Sequence, residues 1–88
     1  MRTEFLRKFS KDIDKIDAQQ IRAAILEAIQ NVEQAENLTE IRNIKKLSGF
    51  ADAYRIRIGD YRIGLFVDGD VVQFARVVHR KDIYKFFP

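Results

Sequence analysis

The stretch that decides the fold is YRIRIGDYRIGLFVDGDVVQFARVV, residues Tyr54–Val78. It contains three runs of β-branched, aromatic and aliphatic residues, separated by Gly59-Asp60 and by Asp68-Gly69. In the first run apolar residues alternate with arginines, as in a strand with one apolar and one basic face. Asp-Gly is a strong hairpin signal, because both central residues of the favoured turn need positive φ. The stretch therefore predicts an antiparallel meander of three strands, Tyr54–Ile58, Tyr61–Val67 and Val71–Val78.

Upstream of the meander, the apolar spacing is that of helices. Arg2–Leu6 is short and suits an edge strand, and Ser10–Ile16 suits a first helix with Ser10 as its N-cap. Asp17 is expected to cap a second, longer helix. The apolar stripe of that helix consists of Ile21, Ala24, Ile25, Ala28, Ile29 and Val32. Packing on a sheet explains this stripe better than a membrane or partner surface does.

Two short helical segments are expected beside these main elements. Asn37 or Thr39 suits the cap of a helical turn within residues 37–43, and Asp82 suits the cap of a C-terminal helix over Ile83–Phe87. Helices that precede an antiparallel meander are typical of an α+β fold. We therefore expect two N-terminal helices packed on a small, mainly antiparallel β-sheet.

Length and composition indicate one small globular unit. The chain has 88 residues, of which 47% are hydrophobic and 33% charged, and we expect a single domain over residues 1–88. The absence of cysteine excludes disulfides, thiolate metal sites and a cysteine nucleophile. No apolar run approaches the roughly 20 residues that a membrane span needs, and Met1–Phe9 has no signal-peptide core. We expect a cytoplasmic protein with no membrane partner.

Charge is distributed unevenly along the chain. Residues 1–40 contain six Lys or Arg and eight Asp or Glu, a net charge of −2, whereas residues 41–88 contain ten and five, a net charge of +5. A basic half beside an acidic half suggests a polyanion as partner. Ordinary surface charge is the competing explanation, and the asymmetry alone favours nucleic acid only slightly.

Several kinds of site are excluded or disfavoured. The sequence has no glycine-rich phosphate loop and no arrangement typical of a serine hydrolase. Its single histidine cannot form a multi-histidine metal centre. Turn chemistry explains the aspartates at predicted turns better than metal binding does; these are Asp52, Asp60, Asp68 and Asp70. We therefore predict neither a metal site nor a cofactor.

Cations and proton-transferring groups concentrate in the meander and the tail. The candidates for catalysis are Arg55, Arg57, Arg62, His79, Arg80 and Tyr84. On one surface, such arginines can bind and stabilise a phosphate while His or Tyr exchanges protons, as RNA cleavage without a metal requires. The competing explanations are a solvated strand face for Arg55 and Arg57, and a solubilising loop for Lys45 and Lys46.

The second half of the chain resembles the RelE/ParE toxin superfamily. The matching features are Lys46-Leu47-Ser48-Gly49, Tyr54-Arg55-Ile56-Arg57, Tyr61-Arg62-Ile63 and Val77-Val78-His79-Arg80-Lys81-Asp82-Ile83-Tyr84. The first half, with a strand and a helical hairpin, agrees with the architecture of that superfamily. The resemblance implies a RelE-like fold and a toxin that cleaves messenger RNA, often in the ribosomal A site. It also implies a cognate antitoxin that neutralises the toxin in a hetero-oligomer.

Roles for individual residues follow from the resemblance. Arg55 and Arg57 stand where RelE-type members often have catalytic lysines. Because arginine holds its proton, a general-base role for Arg55 is disfavoured. Arg62 corresponds to a phosphate-binding arginine, and Arg80 to the basic residue that ends the last strand.

Proton transfer is assigned to Tyr84 and His79. RNA binding is predicted for a wider set of cations that consists of Lys45, Lys46, Arg55, Arg57, Arg62 and Lys81. Two alternatives stay open: a ParE-like protein that inhibits DNA gyrase without cleaving RNA, and a non-catalytic module that binds RNA or the ribosome. The cations together with His79 and Tyr84 favour the nuclease.

Overall fold

The computed structural model describes every residue from Met1 to Pro88 and shows one five-stranded sheet with three helices. In chain order the elements are β1 (Arg2–Phe5), α1 (Arg7–Asp14), α2 (Gln19–Gln34), a 3-10 turn (Leu38–Glu40), β2 (Ile44–Lys46), β3 (Ala53–Ile58), β4 (Tyr61–Asp68), β5 (Val71–His79) and α3 (Ile83–Phe86). The strand order is β1-β5-β4-β3-β2; β1 is parallel to β5, and the other pairs are antiparallel. The predicted α+β fold is confirmed. None of the helices is long and apolar enough to cross a lipid bilayer.

The two faces of the sheet are covered unequally. On the helix face, under α1 and α2, the core includes Ile56, Ile63 and Phe74, each at most 1% exposed. The predicted stripe of α2 packs there, with Ile25 and Val32 buried and its other members partly buried. On the opposite side, the tail face, the C-terminal segment packs over a smaller cluster of Leu47, Ala53, Ala75, Ile83 and Phe87. Strand alternation sends the arginines of β3 to the tail face.

Both hairpin turns of the meander have glycine at their first central position. Pairing continues to the residues that flank each Gly-Asp dipeptide, so each loop contains two residues. Gly59 and Gly69 have φ of 55° and 60°, and glycine at this position is typical of a two-residue hairpin. The hairpins are confirmed, but the second turn is centred on Gly69-Asp70 and not on Asp68-Gly69.

A β-bulge in β5 changes which side chains face the helices. The register shifts between Gly64 and Leu65 of β4, and Ala75 of β5 has no partner across the sheet. Phe74 and Val77 both belong to the helix-face core although they are three residues apart. In a regular strand, residues three apart face opposite sides. Alternation counted from the start of β5 therefore predicts the wrong face for the side chains after the bulge.

The starts of both long helices differ from the prediction. α1 begins at Arg7 rather than after Ser10, and no side chain caps it. The residue before α2 is Ala18 rather than Asp17, again without a side-chain cap. Beyond the end of α1, the guanidinium of Arg22 donates to the carbonyl oxygens of Ile13 and Ile16, at 3.0 and 3.1 Å, and so ties the start of α2 to this turn.

The shorter elements agree with the prediction in part. Asn37 is confirmed as a cap, because its Oδ1 accepts the backbone N–H of Thr39 at 3.0 Å. α3 ends at Phe86, and Asp82 precedes it without a capping hydrogen bond. β2 was not predicted, because three residues are too few to show alternation. It pairs with β3 and forms the edge of the sheet.

Candidate functional site

Cations from three neighbouring strands lie side by side on the tail face. Arg57 of β3 is directly opposite Arg62 of β4, and Lys45 of β2 is directly opposite Arg55 of β3. Residues that face each other in this way have Cβ atoms about 4.5–5.5 Å apart. We call these four residues the basic face. Alternation in the sequence predicted that Arg55 and Arg57 share a face, but their cross-strand partners follow only from the register.

The basic face departs from the ordinary preference for strand pairing. Like charges directly opposite each other destabilise a sheet, whereas opposite charges stabilise it. The ion pairs of the protein are Asp12–Arg76, Asp60–Arg80 and Asp82–Lys85, and none of them includes a residue of the basic face. Arg57 and Lys45 are exposed, and Arg55 and Arg62 are half-buried. The two like-charge pairs thus have no carboxylate beside them and are suited to bind an anion.

Arg62 lies at the centre of this charge cluster. Its Nη1 donates to two carbonyl oxygens of the β3–β4 turn, at 2.8 and 2.9 Å, which holds the guanidinium above that turn. Burial is the largest cause that lowers the pKa of Arg62. The positive charges of Arg55, Arg57 and Arg80 lower the pKa further, and the Tyr84 phenol raises it. Four of the other five predicted catalytic residues therefore lie close enough for their charges to act on Arg62.

Arg80 lies just beyond β5, at the rim of the basic face. Its backbone N–H donates to the carbonyl oxygen of Asp60 at 2.7 Å, and its Nε is 3.8 Å from the Asp60 carboxylate. Because both side chains are well exposed, this ion pair is weak and leaves the guanidinium available to a ligand. Lys81 follows on an exposed turn, outside the strands that carry the basic face.

His79 lies on the helix face of the sheet, away from the arginines. It is paired with Tyr61 of β4, and the two rings meet edge to face with their centroids 5.7 Å apart. Tyr61 packs against the helix-face core, as does Val77, which lies two residues before His79. The bulge in β5 is the cause, since regular alternation from Phe74 would have sent residue 79 to the tail face. His79 is the one predicted catalytic residue that the structure does not bring to the cluster.

A groove of about 530 Å³ runs between the basic face and the C-terminal tail. Its walls are formed by Lys45, Lys46, Leu47, Ser48, Phe50, Arg55, Tyr84, Phe87 and Pro88. Lys45 projects from the basic face, whereas Lys46 is opposite Tyr54 and projects from the helix side at the edge of the sheet. Tyr84 and Phe50 are the large uncovered rings of the groove, 70% and 47% exposed. Such rings beside cations suit an unpaired nucleotide, because rings stack on bases and cations bind phosphate.

Phe50 was not among the predicted site residues. It lies in the loop between β2 and β3, which is closed at its base by a hydrogen bond from the Leu47 N–H to the Ala53 carbonyl at 2.9 Å. Leu47 and Ala53 are both buried, so the loop is anchored while Phe50 stays exposed. A single aromatic residue in a loop has no periodicity that would have indicated its position.

The C-terminal tail is anchored on the tail face by two buried side chains. Ile83 is 1% and Phe87 3% exposed. The ring of Phe87 lies directly over Gly64, where a Cβ atom would be only 2.5–2.8 Å from the ring carbons. Gly64 thus provides the space that the tail occupies, and Tyr84 is held between the two anchors.

The groups at this site can perform phosphate chemistry. Guanidinium groups donate paired hydrogen bonds to phosphate oxygens. Fixed positive charge stabilises the negative charge that grows on a phosphate during substitution, and a phenol can transfer a proton. No three His, Asp or Glu side chains of the protein come together in an arrangement that could hold a metal ion.

The chain is similar to toxins of toxin–antitoxin systems along its length. A family model described as the ParE toxin of the type II toxin–antitoxin system parDE matches residues 3–84. The toxin RelE3 of Methanocaldococcus jannaschii is 40% identical over 89 residues, and the alignment covers 100% of both chains.

Solved structures show the same fold. A chain of the RelB–RelE antitoxin–toxin complex from Methanococcus jannaschii matches with a TM-score of 0.80 and 40% identity, over 97% of this chain and 99% of that one. A chain of the toxin–antitoxin complex RelBE2 from Mycobacterium tuberculosis matches with a TM-score of 0.70 and 27% identity, over 90% and 96%. The chain therefore belongs to the ParE toxin family of type II toxin–antitoxin systems, within the RelE/ParE superfamily.

Proposed function

We propose that this toxin is an endoribonuclease that cleaves messenger RNA in the ribosomal A site without a metal cofactor. The observation that carries the proposal is the basic face, where two like-charge pairs have no carboxylate beside them. This arrangement lowers the stability of the sheet, whereas a bound polyanion offsets the repulsion. Departures of this kind from local preference are expected at functional sites.

In the proposed reaction, the 2′-hydroxyl oxygen of the RNA attacks the adjacent phosphorus and the bond to the 5′-oxygen breaks. Arg57 and Arg62 bind the phosphate oxygens and stabilise the growing charge. The 5′-oxygen takes a proton from Tyr84, which is the phenol nearest the cluster. Since arginine holds its own proton, the proton of the 2′-hydroxyl passes to water. The products are a 2′,3′-cyclic phosphate and a 5′-hydroxyl.

The features of the groove favour a substrate RNA whose bases are unpaired at the point of cleavage. Its exposed rings, Phe50 and Tyr84, lie beside Lys45 and Arg55. Stacking on such rings requires bases that are not stacked in a duplex. Messenger RNA in the ribosomal A site presents bases in this state, and additional cations, Lys46 and Lys81 among them, can contact the flanking phosphates.

We also propose that a cognate antitoxin binds this chain, as in the RelB–RelE complex of Methanococcus jannaschii. An acidic or amphipathic segment suits the protein, because the basic face supplies charge and the helical hairpin supplies apolar surface. Leu26 of α2 is 54% exposed. It borders a hollow of about 410 Å³ that is lined by Ile13, Gln19, Arg22, Ala23, Ile25, Leu26 and Ile29.

Inhibition of DNA gyrase is the second candidate function. The match to the ParE family model favours it, and it would require the basic face only as a binding surface. The two functions differ in their need for Tyr84, because a protein that does not cleave RNA needs no proton donor.

A translation reaction with mapped messenger RNA ends tests the proposal, run beside a gyrase supercoiling assay. We expect cuts within codons, 2′,3′-cyclic or 3′-phosphate ends, and no effect on supercoiling. Arg62→Ala serves as the inactive control. Ends that carry a 3′-hydroxyl, or cleavage of intact ribosome complexes that depends on a metal bound by the toxin, would contradict the mechanism. Inhibited supercoiling with intact messenger RNA would favour the gyrase function.

A further inference from the structure

A buried ion pair closes the free edge of β5. β1 pairs with β5 only as far as Phe74, so the edge is open beyond that residue. Asp12 of α1 takes the place of the missing strand, because its Oδ2 accepts the backbone N–H of Val77 at 3.0 Å. The same carboxylate accepts hydrogen bonds from Nε and Nη2 of Arg76 at 2.7 and 3.0 Å. Asp12 is 7% exposed and is the only charged residue in the buried set.

This carboxylate holds Arg76 in one orientation. Two parallel hydrogen bonds between a guanidinium and a carboxylate restrain its geometry as well as its distance. The hydrogen bond to Asp12 is the largest cause that raises the pKa of Arg76, and it outweighs the opposing effect of burial. The guanidinium is therefore charged and fixed, while part of its surface stays accessible to a neighbour.

That neighbour is the C-terminal tail. The Cζ atom of Arg76 is 5.2 Å from the centroid of the Phe86 ring, within the range of a cation–π interaction. Phe86 is 53% exposed, so core burial does not hold it as it holds Ile83 and Phe87. α3 contains only four residues, and a helical turn of this length depends on tertiary contacts. The contact with Arg76 therefore helps to set the direction of the turn.

Phe86 and Tyr84 lie on different sides of the same helical turn. Residues two apart on a helix differ by about 200° around its axis. The contact between Phe86 and Arg76 therefore fixes the rotation of the turn, and with it the direction in which Tyr84 points. We infer that Arg76 is a positioning residue: held by Asp12, it holds Phe86 and so directs Tyr84 toward Arg62. The inference rests on the proposed function, because that function gives Tyr84 a role in the reaction.

Phe86→Leu tests the inference with the least disturbance. It keeps an apolar side chain and leaves the ion pair with Asp12 intact. Arg76→Lys is a second variant, which keeps the charge but loses the planar fork. Lys85→Ala is the matched control, because it removes an exposed ion pair of 3.6 Å from the same turn. For each protein we would measure hydrogen exchange of the tail amides and single-turnover cleavage over a range of programmed-ribosome concentrations.

We expect Phe86→Leu to lower the cleavage rate at saturation by about tenfold or more, since a misplaced reacting group has effects of this size. The half-saturating concentration should change little, and amides 85–87 should exchange faster than in the wild type. Arg76→Lys should act in the same direction, and Lys85→Ala should leave the saturated rate unchanged. Once Phe86 is replaced, adding Arg76→Lys should lower the rate no further.

An unchanged saturated rate in Phe86→Leu overturns the positioning role, as does a lower rate without faster exchange in the tail. A loss confined to the half-saturating concentration also overturns it, because that would place Phe86 in substrate binding. If the wild-type protein does not cleave RNA, the proposed function fails. Hydrogen exchange of Phe86→Leu and Arg76→Lys then still decides whether Arg76 holds the tail.

Discussion

Replacing Arg57 by glutamine should make the protein more stable and less active at the same time. Arg57 is exposed, lies directly opposite Arg62 and has no carboxylate partner. Glutamine keeps a polar side chain on the strand but removes the positive charge. Relief of the repulsion should favour folding, whereas loss of a guanidinium should weaken stabilisation of the phosphate.

The expected gain in stability is small but measurable. Cross-strand charge pairs contribute about 0.2–1 kcal/mol, so removing the exposed member of this pair should yield about 0.5 kcal/mol at low salt. In a domain of this size that gain raises Tm by about 2–4 °C. The Debye length falls from about 30 Å at 0.01 M salt to about 3 Å at 1 M, so the gain should disappear at high salt. The cleavage rate should fall at least tenfold, which corresponds to about 1.4 kcal/mol.

The assay combines unfolding, followed by circular dichroism at low and high salt, with RNA cleavage by the same preparations. Arg2→Gln is the matched control, because Arg2 is also an exposed strand arginine but lies opposite Val71. A low-salt Tm for Arg57→Gln that does not exceed that of Arg2→Gln would refute the argument from like charges. A stabilised Arg57→Gln protein with full activity would show that the basic face is not the site of cleavage.

Three further predictions concern the tail and the proton donor. Gly64→Ala places a methyl group 2.5–2.8 Å from the Phe87 ring. It should lower the free energy of unfolding by about 1–3 kcal/mol, measured in urea, and reduce cleavage as the tail is displaced. Tyr84→Phe should lower the saturated cleavage rate by about tenfold or more, whereas His79→Asn should have a much smaller effect because its ring faces the helices. Binding of the antitoxin should change hydrogen exchange in the meander and in residues 83–88, because the tail is a short element attached at one end.

Each of these predictions has a contrary result. If Gly64→Ala unfolds with the same free energy as the wild type, packing of Phe87 does not require a residue without a side chain at position 64. If Tyr84→Phe and His79→Asn lower the saturated cleavage rate equally, His79 takes part in the reaction after all. Identical exchange with and without the antitoxin, while cleavage is inhibited, would exclude neutralisation through the tail.

Strands β3 and β4 and the stripe of α2 could be predicted because burial there follows the period of each element. β5 could be predicted as a strand, but its bulge shifts the period. The start of α1 could not, because it is set by a tertiary contact. The backbone N–H of Leu6 donates to the carbonyl of Phe74 at 2.9 Å, so the chain is still bonded to β5 where the helix begins. A capping serine such as Ser10 has no role at this junction. Sequence patterns describe local preference, whereas the start of α1 is determined by its hydrogen bond to the neighbouring strand β5.

The candidate site was predicted in part for a related reason. Arg55, Arg57 and Arg62 could be grouped because alternation and one tight hairpin relate them. The pair of Asp12 with Arg76 joins residues 64 positions apart, and no local pattern in the sequence relates them. The contact of Arg76 with Phe86 in the tail likewise follows only from the structure.

The bulge in β5 explains both why His79 lies away from the arginines and why Arg76 lies beside the tail. Counting by twos from Phe74 would put residue 76 on the helix face and residue 79 on the tail face. The extra residue, Ala75, reverses this order, so His79 meets Tyr61 on the helix face.

The same reversal puts Arg76 level with Gly64, beside the tail and at the open edge of β5. From there its guanidinium reaches both Asp12 and Phe86. One inserted residue thus separates an imidazole from the arginines and places Arg76 against the tail. In the proposed reaction, proton transfer at the basic face then depends on Tyr84. By the inference above, the orientation of Tyr84 depends in turn on Arg76, which is not among the residues proposed to contact the RNA.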